Sequence, residues 1–311
     1  MLQRLWKTSP ELIATAALMV AVLAIALVGL AVDPRVITGA PAWLKPAKFA
    51  ASIIVYTVTL AWIFTLLREW PRTRRIVGWT TAIVLVLEIA IIGGQAWRGT
   101  TSHFNIGTPL DAALFSIMGA AIFVQTVASV AVAVALWRQR VADRALGWAL
   151  RFGMTITIAG ALTGGLMTRP TASQLEAAQA GERLTIVGAH TVGADDGGAG
   201  LMGTGWSTEH GDLRVPHFVG LHALQALAVL AVLLGAAGLA PSARARLMLV
   251  AGPSYAVLYV ILLAQALRGV PLAAPDATTM TQLGIWAAAT TVAAAVTIRG
   301  RAGTTPRTAA V

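Results

Sequence analysis

The stretch G-W-S-T-E-H-G-D-L-R-V-P-H-F-V-G-L-H-A-L-Q, Gly205 to Gln225, passes from polar residues into an apolar run that continues to about Leu239. It holds three of the five histidines, His210, His217 and His222, with Glu209, Asp212 and Arg214 beside them. Only 12% of residues are charged, so these titratable groups are concentrated where a membrane helix would meet water.

A soluble domain carries about 25% charged residues and less apolar content than the 57% found here. The apolar residues fall in runs of about 20, the length that crosses a ~30 Å hydrocarbon core. The fold class is therefore an all-α integral membrane protein. Eight spans are expected: Glu11 to Val32, Pro46 to Leu67, Ile76 to Trp97, Pro109 to Leu136, Ala145 to Met167, Pro216 to Leu239, Leu247 to Leu267 and Thr278 to Ile298. Absence of cysteine excludes disulfides, thiolate metal sites and thiol catalysis. The formal net charge of +10 does not point to nucleic acid, because the basic residues sit in short loops between spans.

Those loops set an expected topology. Arg68, Arg72, Arg74 and Arg75, then Arg138, Arg140 and Arg144, then Arg244 and Arg246, and finally Arg299, Arg301 and Arg307 all fall on one side. By the positive-inside rule that side is cytoplasmic, with both termini, in the inner membrane. Trp43, Trp97 and Trp206 would mark the outer interface, and Trp6, Trp70, Trp79, Trp137 and Trp148 the inner one. The long segment Arg169 to Leu213 is then extracytoplasmic. A short surface helix is expected within Thr171 to Arg183, a flexible glycine-rich centre near Gly193 to Gly200, and a solvated His190.

Gln95-Ala-Trp-Arg-Gly99 closes span 3, and Gln265-Ala-Leu-Arg-Gly269 closes span 7, 170 residues later. Pro46 and Pro216, opening spans 2 and 6, share the same offset. This register implies two pseudo-repeated four-helix halves, residues 1–140 and 141–311, with the long loop inserted in the second.

Ionisable groups inside a membrane are functional candidates by default. His222 lies about two turns into span 6, with Gln225 three residues on. Glu88 lies near the middle of span 3, seven residues before Gln95. Glu88 and His222 are the candidate catalytic or proton-carrying groups. His217, His222, Gln225, Gln95, Arg98, Gln265 and Arg268 are candidate cofactor-binding residues, the arginines anchoring propionate or another anion. His103, His210 and His217 could complete a three-histidine metal site.

The eight-span, two-half layout resembles that of haem A synthases and related b-type membrane haem proteins. Those families place histidines on several helices in both halves, whereas only span 6 has them within the membrane here. Three functions follow. The first is a redox protein binding haem b or a divalent metal, with a quinone or other small molecule as partner. The second is a proton-coupled carrier for a small anionic or amphipathic solute. The third is a scaffold or assembly factor in the bilayer.

The topology is checked by placing a single cysteine at position 196 of this cysteine-free chain. Labelling is expected from the extracytoplasmic side, and labelling from the cytoplasm alone would invert the arrangement.

Overall fold

The computed structural model describes residues 1–299; Arg301 and Arg307 lie outside the described residues. A short α1 (Leu2–Thr8) leads into α2 (Pro10–Val32), and a two-residue hairpin, β1 (Val36–Ile37) with β2 (Ala40–Pro41), leads to α3 (Leu44–Phe64). Helices α4 (Pro71–Arg98), α5 (Pro109–Arg138) and α6 (Arg144–Met167) follow. Then come α7 (Ala172–Gln179), the paired β3 (Thr191–Val192) and β4 (Gly211–Asp212), α8 (Arg214–Leu221), α9 (Ala223–Ala236), α10 (Pro241–Leu267) and α11 (Ala277–Arg299).

Seven segments, α2 through α6 with α10 and α11, are long and apolar enough to cross a membrane, and the bent pair α8–α9 makes an eighth if counted as one span. These coincide with the expected spans to within a few residues. Local chemistry explains the boundaries. Proline opens α2, α4, α5 and α10, where its missing N–H belongs to a turn that lacks intrahelical partners anyway. Thr108 caps α5 by accepting from the Asp111 N–H at 3.1 Å, and Asp143 caps α6 by accepting from Ala145 and Leu146. Arg151 donates to the carbonyls of Leu136 and Gln139 at 2.9 Å each, tying the end of α5 to α6.

Helix α2 packs on α3, and α4 on α5; α6 packs on α8, α9 and α10, and α10 on α11. Both groups share a core near α1, where Leu12, Phe64 and Leu136 meet Leu150, Met154 and Leu224. Helix α11 is outermost, and Thr279 is its one buried residue among those described.

Span 6 departs from the continuous helix expected. It breaks at His222, where α8 and α9 meet at 46°. No proline stands at the break. The Thr157 hydroxyl donates to the Leu221 carbonyl at 3.3 Å and the Tyr255 hydroxyl to the Val219 carbonyl at 2.8 Å, so backbone groups around the bend stay satisfied in an apolar setting. Close approach fixes α8 against α6: a Cβ on Gly220 would lie 2.5 Å from the Cα of Gly160.

The segment between α6 and α8 folds over one end of the bundle as a cap. Hydrogen bonds cross the cap where its glycine-rich centre ends. Leu201 donates to the Trp206 carbonyl at 2.7 Å and Thr208 to that of Ala199 at 3.0 Å, and Gly200 bridges Ser207. The short helix expected before the centre is α7, opened by a Thr171–Gln174 capping box.

Replacing Gly220 by Val should force α8 off α6 and cost about 1–3 kcal/mol, as overpacking does. A lowered thermal midpoint in detergent is the readout. Gly165→Ala, which would meet nothing within 4 Å, should leave it unchanged.

Candidate functional site

The cap is held from both sides. Lys48, one turn into α3, donates to the Thr204 carbonyl at 2.8 Å. Arg214, opening α8, donates to the neighbouring Gly205 carbonyl at 2.6 Å and pairs with Asp212 at 2.6 Å. Asp212 is fully buried at its side chain and also accepts from the Ser207 N–H at 2.8 Å. Such charge-assisted bonds are roughly twice as strong as neutral ones.

Beneath the cap three histidines converge: His103 from the α4–α5 loop, His190 from the cap and His217 from α8. Each has its Nδ1 engaged. His217 donates from Nδ1 to the Gly160 carbonyl at 2.7 Å, His190 meets Asp196 at 2.5 Å, and His103 meets the Ser102 hydroxyl at 3.0 Å. A neutral His217 then presents Nε2 as an acceptor. Phe104 separates two of the rings, 6.1 Å from His103 and 4.9 Å from His190. Its φ of 64° is left-handed, a strain that is uncommon outside sites where surroundings over-determine the backbone.

Asp196 organises the cap side. It accepts from the His190 and Thr191 N–H groups, the Thr191 hydroxyl and the His190 ring. Burial raises its carboxyl, but His190 and these donors outweigh that and hold it below the usual carboxylate range. Burial lowers His190, with Asp196 opposing and Lys45 and Arg214 reinforcing. Burial holds His103 well below the usual imidazole range, aided by Lys45, His190 and His217.

Lys45 completes the cluster. It is half-buried and has the charges of Lys48, Arg214, Asp196 and Glu88 around it. Glu88 is 2% exposed, and its Oε1 lacks a hydrogen-bond partner among the described residues. Three polar residues of the bundle bond elsewhere: Gln125 to Tyr56 at 3.2 Å, Tyr255 to Val219, and Tyr259 to Ala159 at 2.9 Å.

The remaining sequence candidates separate from this cluster. His222 turns toward Phe218, 4.3 Å between ring centres, and Gln225 is its neighbour, its buried Oε1 without a partner among the described residues. Gln95 and Arg98 both donate to Asp111, at 2.8 and 2.7 Å. Gln265 donates to the Pro271 carbonyl at 2.8 Å, and Arg268 reaches Asp276 at 3.2 Å and Thr279 at 2.7 Å. The two arginines thus tie each helix end to the start of the next helix, and the chain's own carboxylates occupy the groups expected to anchor an external anion. His210 was expected to join His103 and His217. His210 follows a turn in which its N–H bonds Ser207, and no three His, Cys, Asp or Glu side chains among the described residues are disposed to hold a metal ion.

Sequence reasoning took His190 as solvated, whereas its ring pairs with Asp196, and it passed over Asp196, Lys45 and Phe104 as site residues. The available signal was Gly193 and Gly197 flanking Asp196, a spacing that lets the chain turn back on His190. The chain matches no protein-family model, no curated protein and no solved structure.

The depressed imidazoles give a direction for acid sensitivity. An unfolded histidine titrates near 6.5, so below that pH the unfolded chain binds protons that folded His103 and His190 resist. Stability is full above about pH 6.5 and falls as pH drops below it; the depressed Asp196 adds a loss in the same direction at lower pH. The thermal midpoint in detergent should fall between pH 7.5 and 5, and less so in His103→Gln. A flat profile for the parent would remove the argument.

Proposed function

We propose that this multi-pass helical protein binds a small anionic solute, of the carboxylate or phosphate class, at the cluster under the cap, and carries it across the membrane with proton coupling. One observation carries the reading: the Lys45 ammonium lies near His103 and His190, within reach of the charges of Lys48, Arg214 and Asp196 and of Glu88, whose Oε1 has no hydrogen-bond partner among the described residues. Lys48 and Arg214 are committed to the cap, so among the described residues of this cluster Lys45 is the cation left to meet a ligand. The break at His222 favours a carrier as well, because discontinuous membrane helices recur at transporter binding sites. In this reading Lys45 and the imidazoles hold the anion, Glu88 takes up the coupled proton, and the cap opens and closes on the site.

The proposal includes the arrangement around the site. Two four-helix halves, residues 1–140 and the described part of 141–311, enclose it, and the cap faces the extracytoplasmic side of the inner membrane. Matching ends support the halves. Gly99 and Gly269 both have φ 76°, and Thr100 and Val270 donate to the carbonyls of Gln95 and Gln265 at 3.0 and 3.2 Å. The capping roles exchange: Thr108 caps α5 with Asp111 at the third position, whereas Asp276 accepts from Thr279 at the start of α11.

A second reading is a redox protein holding haem or a metal through His103, His190 or His217. Its support is the engagement of all three Nδ1 atoms, since metal-ligating histidines usually have their second nitrogen oriented this way. The neighbouring ammonium opposes a dication there.

Proteoliposomes separate the two. With a panel of labelled carboxylates and phosphates, a pH gradient should drive uptake of at least one. Lys45→Met should abolish its binding, and Glu88→Gln should retain binding while uncoupling flux from the gradient. A haem or metal absorption spectrum lost in His217→Ala, with no anion binding, would favour the second reading and defeat the first.

A further inference from the structure

Away from the cap, a groove of about 590 Å³ runs along the outer surface between α2 and α4. Leu18, Ile83, Val86 and Leu87 make its walls apolar, and Glu11 stands at one end. Glu11 is half-buried and takes part in no ion pair among the described residues. Its carboxylate lies against Gly78: a Cβ there would fall 2.1 Å from a Glu11 oxygen, so the glycine makes room for the acid. Trp79, 54% exposed, flanks it. The helical stripe Arg75, Trp79, Ile83, Val86, Ala90 runs down the α4 side at spacings of three and four residues. Exposed Arg75 therefore stands one turn, about 6 Å, nearer the helix start than Trp79.

A carboxylate, an indole and a guanidinium thus gather at the mouth of an apolar trough. We propose that this groove binds a phospholipid with a primary-amine headgroup, phosphatidylethanolamine in type. The ammonium bonds Glu11 beside Trp79, the phosphate meets Arg75, and an acyl chain lies in the trough. Charge complementarity selects the headgroup. A glycerol headgroup brings no cation to Glu11, and a quaternary choline has no N–H to donate to it. The indole face favours a cation at the same place.

The test uses the full chain in nanodiscs containing equal amounts of phosphatidylethanolamine and phosphatidylglycerol. Lipid retained after detergent extraction is counted by native mass spectrometry. The parent should retain the ethanolamine lipid severalfold over the glycerol lipid, and Glu11→Gln should bring the two to parity at an unchanged thermal midpoint. Ala90→Phe, which fills the trough while leaving Glu11 in place, should lose the retained lipid. Equal retention by the parent, or a preference that survives both substitutions, would overturn the proposal.

Discussion

Two adjacent carbonyls, Thr204 and Gly205, are gripped by cations from opposite parts of the bundle, Lys48 of α3 and Arg214 of α8. Most of the cap-end architecture depends on this pair of bonds. Ordering the cap's chain costs about 1–2 kcal/mol per residue in backbone entropy alone, against a small apolar cluster in which Leu213 and Val192 meet Phe104 and Met167. Charge-assisted bonds, the four acceptances by Asp196 and the short β3–β4 pairing offset that cost. With the cap in place, His190 is brought over His103 and His217, and the cluster becomes a region screened from bulk water.

Screening gives the unsatisfied groups their weight. A polar group left without a partner in an apolar setting costs about 1–3 kcal/mol, so this chain satisfies nearly all of those around the bend in span 6. Thr157 and Tyr255 serve Leu221 and Val219, and Gly160 receives His217. Among the described residues, the Glu88 oxygen is one of the buried atoms left without a partner, and it lies within reach of the Lys45 charge.

The duplicated Gln-Ala-x-Arg-Gly ends teach a different lesson. Their residues are polar, charged and near a membrane interface, which made them candidates for ligand contact. In the structure Arg98 and Arg268 each fasten the end of one helix to the start of the next, through Asp111 and through Asp276 with Thr279. A polar motif at a helix end can serve the connection it closes, and spacing alone does not distinguish that use from binding.

Helical spans were legible because bilayer thickness imposes a length and an apolar composition on each, and both are properties of contiguous residues. The proline and cap residues that begin the helices were legible for the same local reason. The site was legible only in part. His217, Glu88 and the loop position of His103 could be singled out, but their convergence with His190, Asp196 and Lys45 joins residues separated by up to 172 positions. The bend at His222 was likewise hidden, since it follows from Gly160 meeting Gly220 and from hydroxyls on α6 and α10 reaching the α8 backbone. Periodicity reports what a segment does along its own axis; which polar groups find partners across the bundle is a property of packing.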